Sequence, residues 1–113
     1  MIARRAFVMA IAALTLAAGT AAPAFAQSYP SRVIRLVVPF TPGSPNDVMA
    51  RLLTQHLAPR LGQAIVIDNK PGGGTTIGTK AAAVAEPDGY TLLFVSSSIA
   101  LDRAMNKKVD YDR

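Results

Sequence analysis

The chain has no cysteine, a single histidine and no long run of like charge, and each shortage narrows its function. Without cysteine there is no disulfide and no thiol nucleophile, and a lipid-anchored lipoprotein is excluded. One histidine and seven dispersed acidic residues make no metal cluster, so no metal site is expected. The twelve lysines and arginines are scattered as well. Nucleic-acid binding needs a clustered basic face with aromatic or groove-reading partners, and neither is present. The apolar stretch near the N-terminus covers only residues 6–18, short of the about 20 residues that span a membrane.

That stretch has another reading. Arg4 and Arg5 precede it, and Ala24-Phe25-Ala26 offers a small-x-small cleavage site before Gln27. Positive, apolar and small-residue regions in that order make a secretory signal peptide, residues 1–26, cleaved after Ala26. The arginine pair is compatible with twin-arginine export, although Ala3 and Met9 stand where stronger matches are polar or basic. Removing 26 of 113 residues leaves 87, and the loss of Arg4 and Arg5 lowers the net charge from +5 to +3. A mild positive bias suits a small acidic ligand, and it equally suits an ordinary solvated surface.

Two Gly/Pro loops mark the remainder: Pro42-Gly43-Ser44-Pro45-Asn46-Asp47 and Pro71-Gly72-Gly73-Gly74-Thr75-Thr76. Each follows a short apolar run and opens a helical pattern. Val33-Ile34-Arg35-Leu36-Val37-Val38-Pro39 reads as a buried parallel strand. Ser44 then fits an N-cap, Pro45 the first helical position and Asp47 a capping-box acid. Val48, Leu52, Leu53, Leu57 and Leu61 share one helical stripe, and Gly62 ends the helix. Residues 64–69 predict a second strand, 76–85 a short helix, 90–95 a third strand and 99–105 a last helix. Strand, helix, strand, helix, strand is two βαβ units, an α/β arrangement. Right-handed crossovers bring the strand C-termini to one edge of a parallel sheet, where ligands of open α/β sheets bind.

The glycine loops admit three kinds of chemistry. A P-loop fails because Thr79 stands at its lysine position, with Lys80 one place late, and no GxGxxG is present. A hydrolase has Ser96, Ser97 and Ser98 at a strand end, but no GxSxG, and His56 sits mid-helix with no spacing tie to a serine. No catalytic residue is therefore assigned, and no cofactor. Anion binding needs only main-chain N–H groups, whose charge-assisted bonds contribute about 1.5–3 kcal/mol each, with the helix dipole adding about 0.3–1 kcal/mol. Simple turn chemistry accounts for one such loop; their repetition at neighbouring strand ends favours a site.

In these same residues the chain resembles the Bug-type periplasmic solute-binding proteins, the receptor component of tripartite tricarboxylate transporters. The resemblance rests on Tyr29-Pro30-Ser31-Arg32, Ile34-Arg35-Leu36-Val37-Val38-Pro39-Phe40, Pro42-Gly43, Asp47 and Ala50-Arg51. Leu61-Gly62-Gln63, Asp68-Asn69-Lys70-Pro71-Gly72, Ile77-Gly78 and Pro87-Asp88-Gly89-Tyr90-Thr91-Leu92-Leu93 continue it. It implies a type II periplasmic-binding-protein fold, with residues 27–113 the N-terminal part of the first of two lobes. It implies a monomer that clamps a small carboxylate-bearing solute with main-chain groups and ordered water, and passes it to membrane permease subunits. Carried over, the ligand-binding residues are Phe40, Thr41, Pro42, Gly43, Asp47, Gly73, Gly74, Thr75, Thr76, Ser96 and Ser97. Of these, Asp47 is expected to shape its loop without touching the anion. Signalling to a membrane sensor kinase fits the same signature, as does a fragment without function. Ser44, Asn46, Lys70 and Thr75-Thr76 stand where many members have Gly, Thr, Arg and Gly-Asn. Since full-length members are far longer, the 113 residues alone are expected to bind weakly.

Overall fold

The computed structural model describes residues 26–105. The expected signal peptide, apart from Ala26, and the closing segment 106–113 lie outside the described residues. In chain order the elements are strand β1 (Ile34–Val38), helix α1 (Pro45–Leu61), strand β2 (Ile65–Asn69), a single 3-10 turn (Gly73–Thr75), helix α2 (Thr76–Ala83), strand β3 (Thr91–Leu93) and helix α3 (Ser98–Ala104). Helix α1 begins as its sequence predicts. The Ser44 hydroxyl accepts from the Asp47 N–H, Pro45 is first in the helix, and Gly62 closes it at φ 68°.

The three strands form one parallel sheet in the order β2-β1-β3. Register pairs Ile34 with Ile65 and Val38 with Asn69 on one side, and Arg35 with Thr91 and Val37 with Leu93 on the other. β1 is therefore the central strand, which is why Ile34, Val37 and Val38 are completely buried. Pro39 has no N–H to continue the ladder, and the chain turns out of the sheet there. The connection from β1 to β2 runs one way and that from β2 to β3 returns across β1. Right-handed crossovers then place α1 and α2 on opposite faces.

The α1 face holds the core. Leu36, Val38 and Ala50 form a buried cluster, with Phe40, Ile65, Ile67 and Phe94 packed partly against it. Helix α1 is rotated relative to the stripe that its leucines predict. Asp47, Ala50 and Thr54 are its buried residues, Leu57 and Leu61 are half-buried, and Val48, Leu52 and Leu53 are 47%, 49% and 46% exposed. The reason is polar: Asp47 is bonded to the end of β2, and the small Ala50 lets the helix sit close over Leu36 and Val38. On the other face Gly78 lies against Pro39, where an added Cβ would stand 2.6 Å from the Pro39 Cβ and 2.8 Å from the Lys70 carbonyl oxygen.

At the opposite end of the sheet, two segments of the resemblance meet. Tyr29 Oη donates to the Gly89 carbonyl at 2.6 Å, and the Ser31 N–H donates to Tyr90 Oη at 2.8 Å. Arg32 bonds the Asp88 carboxylate at 2.7 Å and stacks 4.0 Å over the Tyr90 ring. This clasp holds the segment before β1 onto the turn before β3. Strand β3 is shorter than its sequence predicts, yet the Phe94 N–H still bonds the Val37 carbonyl at 2.9 Å.

Candidate functional site

Parallel register brings the C-terminal ends of all three strands to one edge, so the loops after β1, β2 and β3 are neighbours. Two bonds tie the first pair directly: Lys70 N–H to the Val38 carbonyl at 2.9 Å, and Asn69 Nδ2 to the Phe40 carbonyl at 3.0 Å.

In the first loop most amides have partners within the loop. The Ser44 N–H bonds the Thr41 carbonyl at 3.1 Å, and the Gly43 N–H bonds Asp47 Oδ2 at 2.9 Å. Asp47 was expected to reach back to its own cap residue; it reaches one residue further, to Gly43, because the left-handed Gly43 (φ 84°) turns its N–H toward the helix. The same carboxylate accepts from Arg51 Nε at 2.9 Å and from Asn69 Nδ2 at 2.8 Å. Those donors, the Arg51 side chain first, then the Gly43 N–H and Asn69, hold its carboxyl at about 2, below the usual 3.8. Asp47 is thus an ionised internal strut, 1% exposed, in keeping with a loop-shaping role. Among the described residues the Thr41 N–H has no main-chain acceptor.

The second loop is built differently. Gly72, Gly73, Gly74 and Thr75 all have positive φ, an arrangement open to three glycines at no steric cost but strained for a β-branched threonine. Thr75 N–H bonds the Gly72 carbonyl at 3.2 Å, and both the N–H and the hydroxyl of Thr76 bond that of Gly73. The N–H groups of Gly73 and Gly74 have no main-chain acceptor among the described residues. A Cβ on Gly74 would meet nothing within 4 Å, so this amide borders open space at the start of α2.

After β3, Ser96 Oγ and Ser98 Oγ are 2.9 Å apart and Ser97 opens α3 without a side-chain cap bond. His56 pairs its Nδ1 with the Leu52 carbonyl of its own helix at 2.9 Å. The sequence places Asn69 at the strand-end edge but does not show what its side chain bonds to. The residue stood only within a motif, and nothing in a strand-end asparagine announces a bond to a loop 29 residues earlier. A cavity of about 430 Å³ lies instead between α1 and β2, lined by Arg51, Thr54, Gln55, Ile65, Val66 and Ile67.

Comparison with known proteins agrees with this architecture. Residues 49–113 match the tripartite tricarboxylate transporter family receptor, TctC. The protein BugT of Bordetella pertussis is 52% identical over 84 residues, which are 74% of this chain and 26% of BugT. The solved periplasmic binding protein BugD superposes with a TM-score of 0.56 at 49% identity, over 57% of this chain and 22% of that one. MatC from Rhodopseudomonas palustris, solved with bound malate, superposes with a TM-score of 0.56 at 46% identity, over 57% of this chain and 22% of MatC. The chain thus spans about a quarter of the length of these relatives, and its three-stranded parallel α/β unit matches part of the periplasmic-binding-protein fold. The chain belongs to the tripartite tricarboxylate transporter receptor family, with Bug-type solute-binding proteins among its relatives.

Proposed function

We propose that this chain is part of an exported receptor that binds a small carboxylate-bearing solute and delivers it to the permease subunits of a tripartite transporter. Residues 1–26 direct export and are cleaved off after Ala26, and the receptor works as a monomer in the periplasm. Binding takes place at the strand-end edge, with the N–H groups of Gly73, Gly74 and Thr41 as donors. The Thr75, Thr76, Ser96 and Ser97 hydroxyls lie in the flanking segments. Phe40, Pro42, Gly43 and Asp47 shape the first loop. No step of this role breaks a bond, so the protein is read as a binding protein without catalytic residues or cofactor.

The observation that supports it is the pair of glycine amides, Gly73 and Gly74, in the 3-10 turn that leads into α2, which have no main-chain acceptor among the described residues, beside a first loop held in place by an ionised internal carboxylate. Helix starts favour anions through their free N–H groups and dipole. The malate bound to MatC supports a carboxylate as the ligand class.

Gly74→Ala tests the site. Its Cβ would meet no protein atom within 4 Å, but Gly74 is held at φ 62°, so alanine there also strains the backbone and its effect on binding is read only in a variant that keeps its fold. Calorimetric titration with malate, citrate, glutamate and nicotinate is expected to give weak binding to the 113-residue chain, toward the millimolar range, near −4 kcal/mol. The variant is expected to weaken it by about tenfold or more, equivalent to about 1.4 kcal/mol. Equal affinity in a variant that circular dichroism shows to be folded counts against this site.

A further inference from the structure

Asn69 ends β2, and its side chain joins three separate parts of the fold. Both hydrogens of Nδ2 are engaged, one by the Phe40 carbonyl at 3.0 Å and one by Asp47 Oδ1 at 2.8 Å. Its Oδ1 stands 3.5 Å from Arg51 Nη2. The C=O and N–H of a trans peptide point in opposite directions. Drawing the Phe40 carbonyl toward Asn69 therefore turns the Thr41 N–H away from β2. At the far end of the loop Asp47 takes the Gly43 N–H, which by the same geometry turns the Pro42 carbonyl outward. One side chain thus sets the peptide at the start of the loop and braces the carboxylate that sets its end.

We propose that Asn69 is a positioning residue of the carboxylate site, holding the Thr41 N–H toward the ligand without touching the ligand itself. This rests on the reading of the first loop as part of that site. The side-chain chemistry is specific. Asparagine alone at this length offers two donors on one nitrogen, for a carbonyl and a carboxylate together, and an oxygen facing a guanidinium. An ionised aspartate of the same shape offers no donor and sets a second negative charge beside Asp47. Alanine leaves the Phe40 carbonyl and Asp47 Oδ1 without this partner.

The test uses the full chain, exported and purified, with malate as probe. Asn69→Ala is expected to weaken malate binding by about tenfold or more. N69D adds a readout that loss of packing alone does not move. Its introduced carboxyl cannot donate to the Phe40 carbonyl while ionised; the Asp47 charge favours its protonation, and the Arg51 guanidinium, which stands 3.5 Å from Asn69 Oδ1, opposes it. Its affinity relative to wild type is therefore expected to be low near about pH 8 and to recover only as pH falls toward about 4, the ordinary range of an aspartate, where protonation restores one donor. Taking the ratio at each pH removes the titration of malate itself. Wild-type affinity in N69A, or a flat N69D ratio, overturns the proposal; where N69A fails to fold, N69D carries the decision. If the wild-type chain binds none of malate, citrate, glutamate and nicotinate, the carboxylate reading fails on its own. The loop is then judged by amide exchange: faster exchange of the Gly43 N–H in N69D than in wild type near about pH 8 upholds the positioning role, and equal exchange refutes it.

Discussion

Asp47 and Thr75 carry opposite kinds of constraint. Asp47 is buried as an anion, surrounded by the Gly43 N–H, Arg51 Nε and Asn69 Nδ2. Its folded pKa of about 2 lies below the usual 3.8, so the unfolded chain takes up the proton more readily. The stabilisation it contributes is fully present above about pH 4 and is lost as pH falls through about 2. Asp88 is also lowered, chiefly by the Tyr90 N–H, so acid destabilisation is shared. The comparison that isolates Asp47 is urea denaturation of wild type and Asp47→Asn between about pH 2 and 6. The variant should be the less stable above about pH 4, with the gap closing toward pH 2; parallel curves would remove Asp47 from the acid response. Thr75 is held at φ 81°, where a β-branched residue is strained by about 1–3 kcal/mol. Glycine relieves that strain but adds about 0.5–1 kcal/mol of unfolded-state entropy. Thr75→Gly is therefore expected to raise stability modestly, up to about 2 kcal/mol, read as a higher urea midpoint with unchanged slope.

Among the elements, α1 and α2 differ in what sets their position. The start and stop of α1 were legible from Ser44, Pro45 and Gly62, because capping depends on neighbours a few residues apart. Its rotation was not. Counting leucines predicts that Val48, Leu52 and Leu53 turn inward, whereas the polar bond from Asp47 to Asn69, 22 residues away, turns them out. For α2 the deciding contact is steric. Gly78 allows the helix to lie against Pro39 and the Lys70 carbonyl, and an added methyl would sit 2.6–2.9 Å from them. Of the three contact atoms, the Lys70 carbonyl oxygen and Pro39 Cα are main chain and Pro39 Cβ is fixed in its ring, so none can swing away. Gly78→Ala is expected to destabilise by about 1–3 kcal/mol despite alanine's better helix propensity. A denaturation midpoint at or above wild type would mean that α2 shifts freely. The clasp of Tyr29, Ser31 and Arg32 on Asp88, Gly89 and Tyr90 explains why two distant motif segments occur together: they are one contact.

For the molecule as a whole, the parallel α/β sheet, with its strand-end loops gathered at one edge, followed from alternating strand and helix patterns with short connections. Apolar periodicity and turn chemistry are local, and right-handed crossovers leave few arrangements of two βαβ units. The sequence by itself thus determined the element order, the caps, the glycine loops and the family. What only the tertiary structure decided is which loop amides stay available and what holds them. The Gly43 N–H is taken by Asp47, while Gly73 and Gly74 keep theirs free of main-chain acceptors among the described residues. Asn69, in the sequence only one residue of a motif at a strand end, links both strand-end segments through its side chain. The physical reason is range. Capping and periodicity act over a turn or two of chain, whereas a hydrogen-bond partner across the sheet edge exists only once β1 and β2 have paired in register.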